Sequence, residues 1–82
     1  MTREQRDPSH YIRQYLEAKG WTQAQLAESM KRPLREISEI VAGHRDITPE
    51  IASGLARAFD TTQAYWMNQQ IYADLMQAAA DD

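Results

Sequence analysis

The sequence contains no cysteine. That excludes a disulfide framework and a thiolate metal site, and leaves helix packing or oligomerisation to compensate for small size. Long apolar runs are also missing. Nothing approaches the ~20 residues that a membrane-spanning helix needs, and the opening MTREQRDPSH has no apolar signal-peptide region, so a cytoplasmic protein with no membrane partner is expected. Gly20, Gly43 and Gly54 are the only glycines, too scattered for a phosphate-cradling loop. His10 and His44 are the only histidines, with neither a Cys partner nor H-E-x-x-H spacing. At 82 residues the chain makes one small domain without bulk for a deep cleft. No catalytic residue, metal or cofactor is expected, and binding is the function class that remains.

Positive charge is scarce overall. The net charge of -3 argues at face value against nucleic acid, whose binding energy comes largely from phosphate neutralisation. The average conceals a polarity. Residues 1–45 carry eight of the nine Lys and Arg against six acids, a net of +2. Residues 46–82 carry only Arg57 against Asp46, Glu50, Asp60, Asp74, Asp81 and Asp82, a net of -5. A basic half suits an anion and an acidic half a cationic partner, although solvated helix surfaces give the same distribution.

What is present is a succession of helix signals, each with a start and a stop, and no alternating strand pattern. Five helices are expected. The first spans about Pro8 to Lys19, with Asp7 as cap, Pro8 in the first turn, Ile12, Tyr15 and Leu16 on the buried stripe, and Gly20 as stop. The second starts at Thr22, which with Gln25 forms a capping box. Trp21 and Leu26 are placed for a hydrophobic staple, and Ala27 and Met30 complete the inner face. The third runs from Pro33 to about Ala42 around Ile37, Ile40 and Val41, and Gly43 closes it. In the fourth, Thr48 caps, Pro49 follows, and Ile51, Ala52, Leu55 and Phe59 form the stripe; Gly54 permits a close helix contact. Asp60 and Thr61 end it.

The fifth begins near Thr62 and is apolar on more than one face. Trp66 is expected inside. Tyr65, Met67, Ile71, Tyr72 and Leu75 are the candidates for a two-fold homodimer contact, the alternative being burial of the whole segment within one protomer. Residues 1–7 are expected as a flexible N-terminus, 8–76 as the folded domain and 77–82 as an acidic tail.

The second and third helices, joined by about three residues, have the arrangement of a helix-turn-helix, whose second helix presents its N-terminal residues to the DNA major groove. QAQLAESMKRPLREISEIVA, Gln23 to Ala42, supplies the small residue at the close approach, Ala27, and inward apolar residues Leu26, Met30, Ile37 and Ile40. Candidate phosphate contacts are Thr22, Gln23, Lys31, Arg32, His44 and Arg45. Candidate base readers are Leu34, Arg35, Ser38 and Glu39. Arg35 leads, because its planar fork matches guanine O6 and N7; its alternative role is an i, i+4 pair with Glu39. Ser38 donates or accepts, Glu39 suits cytosine N4, and Leu34 either touches a thymine methyl or becomes buried.

ISEIVAGHRDITPEIASGLARAFDTTQAYWMNQQ, Ile37 to Gln70, resembles the HigA-type antitoxins of bacterial toxin–antitoxin modules, within the Xre and Cro/C1-repressor group of helix-turn-helix proteins. The most specific pieces are SEI-x-x-G-x-R-x-ITPE, Ser38 to Glu50, and YWMNQQ, Tyr65 to Gln70. The resemblance implies an all-α, five-helix, lambda-repressor-like helix-turn-helix domain. It further implies a homodimer that binds double-stranded operator DNA, represses its own operon and neutralises a partner toxin, typically a small basic ribonuclease that cleaves mRNA. The chain departs from the family in its turn. Lys31 stands where glycine is usual, Arg32 where an apolar residue is usual, and Pro33 where Ser or Thr caps the helix. Two alternatives therefore stay open, a stand-alone phage-like repressor and a toxin-binding module with impaired DNA binding.

Overall fold

The computed structural model describes residues 8–81. Residues 1–7, with the expected Asp7 cap, and Asp82 lie outside the described residues. The described residues form five helices and no strand: α1 Pro8–Lys19, α2 Gln23–Met30, α3 Leu34–Val41, α4 Pro49–Phe59 and α5 Gln63–Asp81. None is long and apolar enough to cross a membrane.

Local chemistry sets the boundaries. Thr22 Oγ1 accepts from the Gln25 amide at 3.1 Å, while Gln25 Oε1 accepts from the Thr22 amide at 2.7 Å, completing the capping box that starts α2. Thr48 Oγ1 accepts from the Ile51 amide at 3.3 Å with Pro49 in the first turn of α4. Thr62 Oγ1 does the same for the Tyr65 amide, at 3.1 Å, to start α5.

Gly20 and Gly43, at φ +69 and +82, close α1 and α3 in the left-handed region. Two other left-handed closures fall on residues that bear a side chain, Lys31 at φ 57 and Asp60 at φ 58. Around Lys31 the Arg32 amide donates to the Ala27 carbonyl at 3.0 Å and the Lys31 amide to Glu28 at 3.1 Å. These are the two bonds of a Schellman ending. Lysine thus adopts the conformation that glycine supplies in related turns.

Ile12, Leu26, Ile37, Leu55 and Trp66 are the largest wholly buried side chains. Trp66, as expected, is inside, and its indole nitrogen donates to Thr61 Oγ1 at 2.7 Å. Tyr15 is half-buried and stacks on Phe59 with ring centres 5.0 Å apart. Trp21 lies against Phe59 at 6.1 Å, joining the aromatic cluster beneath α5. Gly54 permits the expected close approach, since a Cβ there would stand 2.9 Å from Met30 Cε.

Three boundaries differ from the sequence reading. Pro33 is the extended N-cap of α3, without a side-chain bond, so the helix proper begins at Leu34. Val41 is its last residue, with Ala42 as the C-cap. At the other end of the chain, α5 continues past residue 76 to Asp81, so the segment expected as a tail prolongs the helix. The run of alanines at 78–80 favours this, because alanine has the highest helix propensity of any residue.

Candidate nucleic-acid interface

The tight α2–α3 turn brings the middle of α3 against the start of α2. Ser38 Oγ donates to Gln23 Oε1 at 3.0 Å, across the two helices. One side chain expected to touch a base and another expected to touch a phosphate are therefore held together, and the Gln23 amide is left with its nitrogen as the donor end. Thr22, at the head of α2, is exposed, with its hydroxyl oxygen engaged in the cap.

Charges on α3 form a connected row. Arg32 reaches forward to Glu36 with a two-point fork, Nε to Oε1 at 2.6 Å and Nη2 to Oε2 at 2.9 Å. Its Nη1 also lies 3.4 Å from Glu50 on α4. Arg45, in the loop after α3, reaches back: Nε and Nη2 both donate to Glu39 Oε1, at 2.9 and 2.6 Å, while Nη1 stands 3.7 Å from Glu36. Arg35 Nε lies 3.6 Å from Glu39 Oε2. The order along the surface is Glu50, Arg32, Glu36, Arg45, Glu39, Arg35, with signs alternating throughout.

This row changes the meaning of the acids. Glu36 and Glu39 would repel phosphates as bare carboxylates, but each is neutralised by an arginine from a flanking loop. The Arg32 bonds hold Glu36 below the ordinary carboxyl value against a smaller opposing effect of desolvation. Arg45 does the same to Glu39. The Arg32 guanidinium is correspondingly held above its ordinary value, chiefly by its bond to Glu36. Arg32 and Arg45, both expected at phosphates, are thus engaged within the protein.

Four cationic or apolar groups stand outside this pairing or at its edge. The Arg35 side chain is 90% exposed, and its one ion pair among the described residues is the long contact to Glu39. Lys31 projects from the turn with no ion pair among the described residues, and His44 is exposed beyond α3. Leu34 is 48% exposed at the first position of α3, so it is at the surface and does not take over a buried role.

Sequence reasoning missed two residues that hold this face in place. Arg13 on α1 donates from Nη1 to the Val41 carbonyl at 2.8 Å, capping the end of α3 with a positive charge. Nothing local in the sequence marks that contact, which spans 28 residues. Gln70 on α5 is buried; its Oε1 accepts from the Ile47 amide at 2.8 Å. Its Nε2 donates to Asp74 Oδ1 at 2.9 Å and to Asp46 Oδ1 at 3.4 Å. Gln70 thereby fastens the loop after α3 to the last helix, along a cleft of about 220 Å³ that also meets Arg45 and Gln77. It is the final residue of YWMNQQ, so a signal existed in the motif without a role to go with it.

The dimer candidates divide. Ile71, Tyr72 and Leu75 are exposed on α5, Leu75 to 62%. Tyr65 and Met67 are half-buried and pack partly on the protomer's own core. Tyr65 meets Tyr15 edge-on at 6.3 Å and Trp66 at 5.0 Å.

Comparison with known proteins agrees with this geometry. The HTH-type transcriptional regulator YbaQ of Escherichia coli is 36% identical over 62 residues, which cover 76% of this chain and 55% of YbaQ. This chain therefore spans about half the length of that curated relative. The crystal structure of PA4674 from Pseudomonas aeruginosa, in complex with its operator DNA, superposes with a TM-score of 0.89 at 31% identity, covering 93% of this chain and 83% of PA4674. Pseudomonas aeruginosa antitoxin HigA, with the higBA promoter, superposes at 0.86 with 32% identity over 90% of this chain and 82% of its own. The family model described as helix-turn-helix matches residues 12–66, from the first wholly buried side chain of α1 to Trp66. With α2 and α3 as its paired helices, the chain belongs to the helix-turn-helix family.

Proposed function

We propose that this chain is a cytoplasmic operator-binding antitoxin, which as a homodimer represses its own toxin–antitoxin operon and neutralises a partner ribonuclease. The observation that carries the DNA half of the reading is the face of α3. Arg35 stands exposed beside Leu34 and Ser38, while the acids of the same helix are neutralised from both flanks. A helix entering the major groove needs this: a forked donor at the base edges and no uncompensated carboxylate near the phosphates. Lys31 supplies a phosphate contact from the turn. The turn itself, despite Lys31 and Pro33, keeps a complete Schellman ending and a short connection, which favours retained DNA binding over a module that has lost it.

Homodimerisation is supported by the exposed apolar row of Ile71, Tyr72 and Leu75 on α5. The acidic second half of the chain supports a cationic partner such as a basic ribonuclease. HigA, a structural relative, is an antitoxin bound to a promoter, and PA4674 is bound to its operator. These relatives point the reading toward a toxin–antitoxin operon rather than a stand-alone repressor.

A fluorescence titration tests the DNA half. DNA from upstream of the protein's own gene is compared with a scrambled duplex at physiological salt. Tighter binding to the upstream DNA is expected, and equal affinity for both rejects the reading. Co-expression with the neighbouring open reading frame tests the toxin half: rescue of growth and co-purification of a basic protein are expected.

A further inference from the structure

Arg45 was a natural choice for a phosphate contact, because a cation follows the recognition helix. The structure gives its guanidinium another occupation. Two of its N–H groups converge on Glu39 Oε1 at 2.6 and 2.9 Å, and a third faces Glu36 at 3.7 Å. Glu36 and Glu39 are one turn apart on α3, so a single arginine spans both. Among the described residues the only other cation against Glu39 is Arg35, which reaches its second oxygen at the long distance of 3.6 Å. The carboxylate is thus shared unequally: Arg45 holds one oxygen with a fork, and Arg35 has the other at arm's length.

We infer that Arg45 is a positioning residue that keeps Arg35 available for base reading by occupying the Glu39 carboxylate. The inference rests on the reading that α3 enters the major groove. Without Arg45 the carboxylate is free to turn and take the Arg35 fork at both oxygens, the ordinary i, i+4 arrangement. Arg35 would then lie along its own helix, and reaching guanine would require breaking that pair. Binding to operator would weaken relative to random DNA, because only operator binding uses the Arg35 fork. Arg45 does this from a loop whose next residues are tied to α5 by Gln70, through the Ile47 amide and Asp46.

The experiment measures operator and scrambled-DNA affinities of the full chain across a salt series, with helix content checked by circular dichroism. In Arg45→Gln the operator-to-scrambled ratio should fall by about threefold, the scale of one exposed fork gained by the wrong partner, with the salt slope unchanged. Arg45→Lys keeps the charge and loses the fork, so the ratio should fall there too. Adding Glu39→Gln to Arg45→Gln removes the competing carboxylate and should bring the ratio back to that of Glu39→Gln alone. A phosphate contact behaves otherwise: both DNAs weaken equally, the salt slope drops by about one, and Arg45→Lys is nearly silent. That pattern, an unchanged ratio in both single variants, or a double variant that stays impaired overturns the inference. Wild-type protein with no operator preference would instead remove the DNA reading itself, and this role with it.

Discussion

Ser38 Oγ donates to Gln23 Oε1 at 3.0 Å, linking the start of α2 to the middle of α3 at the edge of its exposed face. The bond crosses 15 residues of sequence and joins the two helices whose relative angle decides whether α3 fits a groove. A protein that reads DNA needs these helices held rigidly before the duplex arrives, since each ordered side chain otherwise adds an entropic cost to binding. Packing at Gly54 against Met30 and the Arg13 cap on Val41 hold the same unit from behind.

Arg35→Ala should reduce operator affinity by about 1–3 kcal/mol while leaving scrambled DNA nearly unchanged. Lys31→Ala should weaken both DNAs alike and lower the salt slope by about one. Titrations with both duplexes over a salt series separate the two roles, and equal losses for Arg35→Ala on both would refute its contact with a base.

Lys31 holds a left-handed conformation at φ 57, which glycine occupies without the Cβ penalty. Lys31→Gly is therefore expected to raise stability by roughly 0.5–1 kcal/mol, the relief of strain being partly offset by a more flexible unfolded chain. The same variant should bind all DNA more weakly. Thermal melting and DNA titration on one sample check the trade; a lower melting temperature would contradict the strain argument.

Glu36 and Glu39 have lowered pKa values from the bonds donated by Arg32 and Arg45. A depressed folded pKa adds stability above the unfolded value, ordinarily 4.5, and that stability is lost as pH falls through the folded value. Urea midpoints should accordingly hold steady from neutral pH toward 4.5 and decline below it. In Arg32→Gln with Arg45→Gln the decline should be shallower, and identical pH profiles for the two proteins would exclude this linkage.

Gln70→Leu should cost about 1–3 kcal/mol in urea denaturation, because it strands the Ile47 amide that Gln70 Oε1 accepts from within the core. Stability equal to wild type would mean that water or a shifted loop satisfies that amide.

Ile71→Glu with Leu75→Glu should convert a dimer at micromolar concentration to a monomer in light scattering. Both positions are exposed in the protomer, so the helical signal should survive. The wild-type melting temperature should also rise with protein concentration and that of the variant should not. A monomeric wild type would dispose of the dimer.

Much of the fold was legible because its determinants are local. Thr22 with Gln25, and Thr48 with Pro49, act within one helical turn, and each starts a helix where the sequence pattern puts it. Gly20 and Gly43 close helices for the same local reason. The 3.6-residue spacing of Ile37, Ile40 and Val41 likewise identifies the buried face of α3 without any knowledge of what packs against it. The exposed side of α3 was legible in outline: Lys31, Leu34 and Arg35 lie at the surface around its start.

What charge does on that surface was not legible. Arg32 and Arg45 read as phosphate contacts in one dimension because the sequence counts their charges but not their partners. Glu36 is near enough in sequence to Arg32 to suggest a pair, yet the same spacing offered Arg35 to Glu39, and only geometry shows the first short and the second long. Arg13 on Val41 and Gln70 on Ile47 join segments 28 and 23 residues apart, distances over which periodicity carries no information. The sequence by itself determined where helices begin, end and bury their faces, because capping and amphipathic spacing are decided within a turn or two. Tertiary structure alone decided which charges are spent inside the protein and which remain for a partner, because ion pairing depends on distances that only packing sets.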